Sequence, residues 1–151
     1  MTKSTGLADL HDGIVVPEYE AFIPWLIEKP DLFRLIPSTN FSVSIADWPM
    51  LQMTLFGFAG VFGFNFATHP EEKLIEVQFQ NFDTPNLQET FLESADRLRE
   101  CLGTPNVMDS PLHLRWDDGV ILVNSAISSG QFPLLGRTAT THRLSVFTRK
   151  R

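Results

Sequence analysis

The chain has 151 residues, 43% of them hydrophobic and 13 of them phenylalanine, which excludes a disordered protein and predicts one domain spanning residues 1–151. The net charge is −6, and because four of the twelve basic residues lie at 143–151, residues 1–142 carry 8 basic against 18 acidic residues, or −10. A region with this negative net charge repels phosphate groups, so nucleic-acid binding is not expected. The single Cys101, the lack of an apolar leader and the lack of an apolar run of about 18 residues predict a cytoplasmic protein without a membrane span.

The N-terminal third is rich in proline and predicts short helices. Pro17 can open a helix over residues 17–27, with Glu18 in its first turn and, at Pro24, either a kink or a division into two short pieces rather than one regular helix. Pro30 starts a second helical turn that extends to residue 35, and Pro37 stops it. These pieces are expected to lie over the core.

Residues 41–82 have strand character. Apolar and polar residues alternate at 41–45, and the segments 50–58, 61–68 and 74–82 predict three further strands, the first two joined by a turn at Ala59-Gly60. Five phenylalanines at positions 56, 58, 62, 64 and 66 crowd this hairpin. They fit either ordinary core packing or the lining of a ligand pocket.

Residues 85–102 predict the one long helix. Thr84 can cap it, Pro85 suits its first position, Gly103 can end it in a left-handed turn, and Pro105 prevents its continuation. Its apolar residues fall on one face at helical spacing. They are Leu87, Phe91, Ala95, Leu98 and Leu102.

The opposite side of this helix carries an acidic ridge, consisting of Glu89, Glu93, Asp96 and Glu100. Glu93 can pair with Arg97, but two like-charge pairs at i,i+4 each cost the helix a few tenths of a kcal/mol. The ridge is either a plain solvated face or a docking surface for a basic protein.

After the helix, residues 112–116 alternate as a strand. Asp117-Asp118-Gly119 suits a type I′ hairpin turn, residues 120–127 form the apolar return strand, a polar connection follows at 128–140, and residues 144–148 form a last strand. The chain therefore predicts an α+β fold: an antiparallel, bent sheet of about seven strands with the 85–102 helix packed on it and short N-terminal helices.

Candidate chemical groups do not combine into a recognisable motif. His11, His69, His113 and His142 lie far apart, without the close second ligand that metal sites usually have. The adjacent aspartates of the hairpin are explained by their turn, and Cys101 lies near the helix C-terminus, where the dipole disfavours a thiolate. No catalytic residue, cofactor site or metal site is predicted.

In outline the chain resembles the bacterial immunity proteins that neutralise polymorphic or contact-delivered toxins. The resemblance rests on the strands–helix–strands order, on Trp116-Asp117-Asp118-Gly119 at the start of a late hairpin, and on the helix exit Leu102-Gly103-Thr104-Pro105. It implies a tight complex with a cognate toxin, often a basic enzyme that attacks nucleotides or nucleic acids, whose cleft is filled by acidic residues.

The expected function is therefore protein binding rather than catalysis. The expected contact residues are the acidic ridge, with the hairpin aspartates Asp117 and Asp118 as a further candidate surface. Two alternatives stay open: a secretion chaperone, and a small-molecule-binding domain or enzyme that uses the phenylalanine-rich hairpin as its pocket.

Overall fold

A computed structural model of the chain describes residues 6–43, 48–67, 72–82, 86–110, 112–132 and 136–150. The predicted α+β fold is confirmed: the described residues form an eight-stranded antiparallel sheet, a two-stranded sheet and two α-helices, the longer of which packs on the large sheet. The small sheet contains β1 (Gly13–Val16) and β2 (Ala21–Pro24). The large sheet contains β3 (Ser42–Val43), β4 (Pro49–Leu55), β5 (Phe58–Ala67), β6 (Lys73–Phe82), β7 (Val107–Ser110), β8 (His113–Asp117), β9 (Ile121–Phe132) and β10 (Arg137–Thr148), and the helices are α1 (Lys29–Leu35) and α2 (Leu87–Leu102).

The large sheet consists of two meanders that meet at its centre. The strand order is β3-β4-β5-β6-β10-β9-β8-β7, so each meander joins neighbouring strands, and β6 pairs with β10 between them. Because β6 is central and β7 lies at the far edge, the connection between them must cross half of the sheet. α2 makes this crossing and contacts β9 and β10 on its way.

The two faces of the large sheet differ because successive side chains of a strand point to opposite sides. In β10 His142, Leu144 and Val146 are buried on one side, where His142 contacts α2. We call this the covered face. Arg143 and Ser145 of the same strand lie on the other side, which we call the open face.

The core lies between the covered face and a layer made of α2 and the N-terminal segment. Fully burying a large apolar side chain stabilises the fold by roughly 1.5–3 kcal/mol, and one continuous cluster joins side chains from both layers. Among its members are Leu51 and Met53 of β4, Phe62 and Phe64 of β5, Leu114 and Trp116 of β8, Phe91 and Leu98 of α2, and Leu10, Ile14, Ile23 and Leu32 of the N-terminal segment.

The predicted helix over 17–27 is wrong. Pro17–Tyr19 forms one 3-10 turn, and β1 and β2 pair on either side of it, with Ile14 opposite Ile23. Both isoleucines are fully buried in the core, whereas Val15 and Phe22 are exposed, so burial of alternate residues prevails over the helix-opening preference of proline. The second short helix is confirmed as α1, with Pro30 in its first turn.

The segment after β2 ties this layer to the sheet. The Leu26 N–H donates to the carbonyl oxygen of Leu74 at 2.8 Å, and the Leu74 N–H donates to that of Ile27 at 2.9 Å. Both bonds lie at the start of β6, beyond the last residues of β6 that pair with β10. The N-terminal segment therefore hydrogen-bonds to β6 just beyond the point at which β6 stops pairing with β10.

The turn between β4 and β5 is at Phe56-Gly57, three residues before the predicted Ala59-Gly60. Leu55 pairs with Phe58, and both loop residues have positive φ, 56° for Phe56 and 73° for Gly57. Two positive φ angles in a two-residue loop are typical of a type I′ turn. Phe56 adopts this conformation although it is buried, with a relative exposure of 4%.

The polar connection predicted at 128–140 is instead the extended hairpin of β9 and β10, which pair from Phe132 and Arg137 onward. Polar side chains hydrogen-bond across the two strands, for example Ser129 Oγ to Thr140 Oγ1 at 2.9 Å. Such cross-strand pairs stabilise a sheet without apolar side chains. The edge strand β7 was not predicted at all.

α2 begins and ends close to the prediction. Leu87, Phe91, Ala95 and Leu98 are buried and Leu102 is half-buried, which confirms the apolar face. Gly103 follows with φ 82° and ψ −154°, so its φ is positive as predicted but its ψ is not that of a left-handed helical turn. The predicted cap Thr84, the first-turn Pro85 and residues 44–47 of the predicted first strand lie outside the described residues.

Candidate functional site

The acidic ridge lies on the surface of α2. Glu89, Glu93, Asp96 and Glu100 are all exposed, on the side of the helix opposite its buried residues. Arg97 Nη2 lies 3.5 Å from Glu93 Oε1, which confirms the predicted i,i+4 pair. Leu92 lies among these acids with 49% of its surface exposed. The ridge thus combines four carboxylates with an exposed apolar side chain.

The hairpin aspartates build their own turn. Asp118 Oδ1 accepts hydrogen bonds from the backbone N–H groups of Val120 and Ile121, each at 2.9 Å, and Asp117 Oδ1 accepts one from Gly119 N–H at 2.9 Å. In this turn only Gly119, at 89°, has a positive φ among the described residues. The hairpin is therefore confirmed, but its predicted type I′ geometry is wrong, because the side chains of the aspartates hold the loop instead.

Both aspartates also bind basic groups from the two ends of the described chain. Arg149 Nη2 lies 2.5 Å from Asp117 Oδ2, and this hydrogen bond is the main cause that lowers the pKa of Asp117. His11 Nε2 lies 2.5 Å from Asp118 Oδ2. Burial alone would raise the pKa of Asp118, but the hydrogen bonds from His11, Ile121 and Val120 outweigh it and the net shift is downward. Both side chains are thus engaged within the molecule.

A third pair lies at the same junction of the chain. Lys150 Nζ is 3.2 Å from Asp12 Oδ1, and the Arg149 N–H donates to the carbonyl oxygen of Val120 at 2.9 Å. Residues 11–12, 117–120 and 149–150 are therefore tied together. Exposed ion pairs of this kind contribute about 0–1 kcal/mol each, so they fix the position of the two ends more than they stabilise the fold.

A polar cluster that the sequence analysis missed lies inside the core, beneath α2. His142 Nε2 lies 3.3 Å from Ser125 Oγ and 3.5 Å from Ser94 Oγ. All three residues are buried: the relative exposure is 0% for His142 and Ser125 and 1% for Ser94. Ser94 also donates its hydroxyl proton to the carbonyl oxygen of Phe91 at 2.8 Å. The cluster therefore joins α2 to the two strands under it.

His142 is held there as a neutral imidazole. The rings of Phe79 and Phe91 contact the imidazole edge to face, with ring centroids 5.7 Å and 5.5 Å from its own. Burial lowers the pKa of His142 to about 4. Its Nδ1 is buried without a hydrogen-bond partner among the described residues, which fits an unprotonated nitrogen better than a donor. A serine–histidine contact of this kind resembles a nucleophile with its base, but both side chains are closed off from solvent.

The other candidate groups are dispersed. His113 Nε2 lies 2.7 Å from Asn124 Oδ1 on the open face, and the thiol of Cys101 is half-buried near the end of α2. His69 lies outside the described residues. Among the described residues, no three His, Cys, Asp or Glu side chains form a group that could hold a metal ion.

The phenylalanine-rich hairpin contributes to the core. Phe62 and Phe64 have no exposed surface, and Phe58 contacts Phe79 edge to face with ring centroids 4.9 Å apart. Phe41 contacts Phe64 in the same way at 5.8 Å. Among the two interpretations of these rings, this geometry favours core packing.

None of the helices in the described part of the chain is both long enough and apolar enough to span a membrane. Comparison of the chain with protein-family models, with curated proteins and with solved structures finds no match.

Proposed function

We propose that this chain is a binding protein that neutralises a basic partner, in the manner of the immunity proteins that it resembles in outline. The acidic ridge on α2 is the proposed contact surface. The cognate partner would be a toxin with a positively charged cleft, such as an enzyme that acts on nucleotides or nucleic acids. The single observation that carries the proposal is the exposure of four aligned carboxylates on the one long helix.

The energetics of the ridge support this proposal. Like-charge neighbours at i,i+4 destabilise a helix by a few tenths of a kcal/mol each. Glu89 is favoured by its position in the first turn of α2, but Asp96 beside Glu100 does not serve helix stability. A basic partner would remove this repulsion on binding. Exposed Leu92 supplies an apolar contact at the side of the same surface, and interfaces commonly combine such contacts with polar groups.

The positions of the reactive groups also favour binding over catalysis. His142 and Ser125 are fully buried, and Asp117 and Asp118 bind Arg149, His11 and the turn backbone. A general acid or base has to reach the proton it transfers within hydrogen-bonding distance. For the hairpin aspartates, a role in the partner contact would require these internal pairs to open, so the ridge is the better candidate.

The proposal is tested by co-expression with the product of the adjacent gene. The expected result is that this product is toxic alone, that the chain restores growth, and that the two co-purify. A harmless neighbour, or a toxic one that the chain does not neutralise, would contradict the proposed function.

The ridge itself is tested by reversing Glu93 and Asp96 to lysine. Charge steering acts mostly on the association rate and is screened over about 10 Å at 0.1 M salt, so association should slow at least tenfold at low salt while the melting temperature changes little. The matched control reverses Glu20 and Glu72, which are exposed and lie outside α2. Equal slowing in both variants would mean that total charge matters and the ridge does not.

A further inference from the structure

α2 and the strands beneath it are held in place in different ways. β10 pairs with β9 along residues 137–148 and with β6 along residues 141–147, so backbone hydrogen bonds join the three strands. α2 rests on these strands through side chains, among them Phe91 and Ser94, which contact His142 of β10. Because a helix in a protein gains most of its stability from packing, α2 depends on these side-chain contacts more than the paired strands do.

His142 lies at this contact, and its hydrogen bonds there are weak. Its Nε2 is 3.5 Å from Ser94 Oγ and 3.3 Å from Ser125 Oγ, and both distances are long for hydrogen bonds. Its Nδ1 is buried without a partner among the described residues. A protonated imidazole has two N–H donors. One of them would be buried here without an acceptor, which costs more for a charged group than for a neutral one.

Among the described residues, the side chains around His142 carry no charge. Asn81 of β6 and Ile127 of β9 pair with it in register, and the rings of Phe79 and Phe91 contact it. β9 contains no charged residue. A proton on His142 would therefore have no counter-ion beside it.

The titratable and charged groups of the elements packed around His142 lie elsewhere. On β6 and β10 they are at a strand end, as Lys73 and Arg137 are, or on the open face, where Arg143 projects and Glu76 accepts a hydrogen bond from Ser145. On α2 they are the acidic ridge, Arg97 beside Glu93, exposed Arg99, and Cys101, which is about two turns beyond Ser94.

We propose that the docking of α2 is acid-sensitive: a proton on His142 releases α2 from the sheet while β6, β9 and β10 stay paired. Separation of α2 lets water reach the imidazole without breaking a strand pairing, and such local openings need less free energy than complete unfolding. Complete unfolding would also solvate the charge, but it would give up the sheet and the core around β4 and β5 as well.

The size of the effect follows from the proton affinity of His142 in the two forms. Burial lowers the pKa of His142 from 6.5 to about 4 in the closed form, whereas an imidazole exposed to water has its ordinary pKa. The open form therefore binds a proton at a pH where the closed form does not. The ratio of open to closed molecules should rise about 20-fold between about pH 7 and about pH 5.

The opening affects the proposed contact surface, because the acidic ridge lies on α2. Once α2 leaves the sheet it loses the packing that keeps it helical, and its four carboxylates are no longer aligned. A partner that binds the ridge should therefore oppose the opening. This consequence rests on the proposed function, whereas the opening itself is a property of the free chain.

The test is amide hydrogen exchange of the free 151-residue chain at about pH 7 and about pH 5, with rates corrected for the intrinsic exchange of each amide. The amides of α2 are expected to share one opening, whose open-to-closed ratio rises about 20-fold on acidification. At about pH 5 this opening should be at least tenfold more frequent than the one that exposes the slowest amides of β9 and β10.

Two variants assign the effect to His142. His142→Gln keeps a polar side chain that does not titrate in this range, so the pH effect on α2 should fall below twofold. His113→Gln, which removes an imidazole from the open face, is the matched control and should keep the full effect. A full effect in His142→Gln would overturn the proposal.

Two results in the parent chain would overturn it as well, even if His142→Gln does not fold. Amides of α2 that exchange only together with the slowest amides of β9 and β10 would mean that α2 opens only when the whole fold does. An opening of α2 that is equally frequent at both pH values would mean that no proton controls its docking.

Discussion

Acidification from about pH 7 to about pH 5 is expected to weaken the fold through His142. This imidazole is fully buried between α2 and the sheet, and burial lowers its pKa from 6.5 to about 4. The unfolded chain therefore binds a proton at a pH where the folded chain does not. Stability from this group is complete above the unfolded pKa and falls as the pH drops from about 6.5 towards 4.

The size of the effect follows from the two pKa values. At about pH 5 the unfolded chain gains roughly 2 kcal/mol from protonation of His142, and at about pH 4 roughly 3 kcal/mol. Domains of this kind have a total stability of roughly 5–15 kcal/mol, so the loss is large. The carboxylates of Asp117 and Asp118, whose pKa values are lowered from 3.8, act at lower pH and do not contribute in this window.

The assay is urea unfolding of the parent and of His142→Gln at both pH values. The variant is less stable overall, but it should lose roughly 2 kcal/mol less than the parent between about pH 7 and about pH 5. His113→Gln, which removes an imidazole from the open face, is the matched control. If His142→Gln shows the full loss of the parent, or if an NMR titration of His142 has its midpoint near 6.5, the reasoning is refuted.

Three further substitutions test the fold. Leu98→Glu places a charge at a side chain that is 1% exposed and should cost several kcal/mol, whereas an unchanged thermal midpoint would mean that α2 does not pack as described. Gly119→Val should cost about 1–2 kcal/mol, since φ is 89° there and no atom lies within 4 Å of an added Cβ; Gly119→Asn should be milder in the same urea titration. Asp118→Ala removes the acceptor of two backbone N–H groups and should cost about 1 kcal/mol in calorimetry, and a neutral result would show that water replaces the carboxylate.

The sequence predicts α2 and the late hairpin well because their signals are local. The apolar spacing of α2 and the glycine after Leu102 lie within one segment, and the Asp117-Asp118-Gly119 loop carries its own hydrogen-bonding groups. The type of that turn was wrong for a related reason. A dipeptide preference does not include the competing side-chain bonds of the two aspartates.

The prediction of a helix in the N-terminal segment was wrong because it gave more weight to three prolines than to a short alternation of buried and exposed residues. Ile14 and Val16 are buried and Val15 between them is exposed. This alternation has the period of two that indicates a strand, but the strand has only four residues. Its pairing with β2 depends on a core that distant strands complete. Local preference cannot include that contribution.

The buried cluster could not be predicted, because its members come from three elements. Ser94 lies on α2, Ser125 on β9 and His142 on β10, and only the crossing of α2 over these two strands brings them together. One signal was available in the sequence: His142 alternates with Leu144 and Val146, both of which were expected to lie in a strand. A histidine in phase with buried residues indicates a buried histidine.

The charge of the ridge determines how a basic partner approaches. The ridge adds to the negative field of a chain with net charge −6, so a basic partner is attracted over a long range and its association slows as salt screens that field. A contact made mainly by apolar side chains lacks this long-range attraction, and its association rate should depend much less on salt. The salt dependence of the association rate thus distinguishes a contact at the ridge from an apolar contact before the interface is mapped.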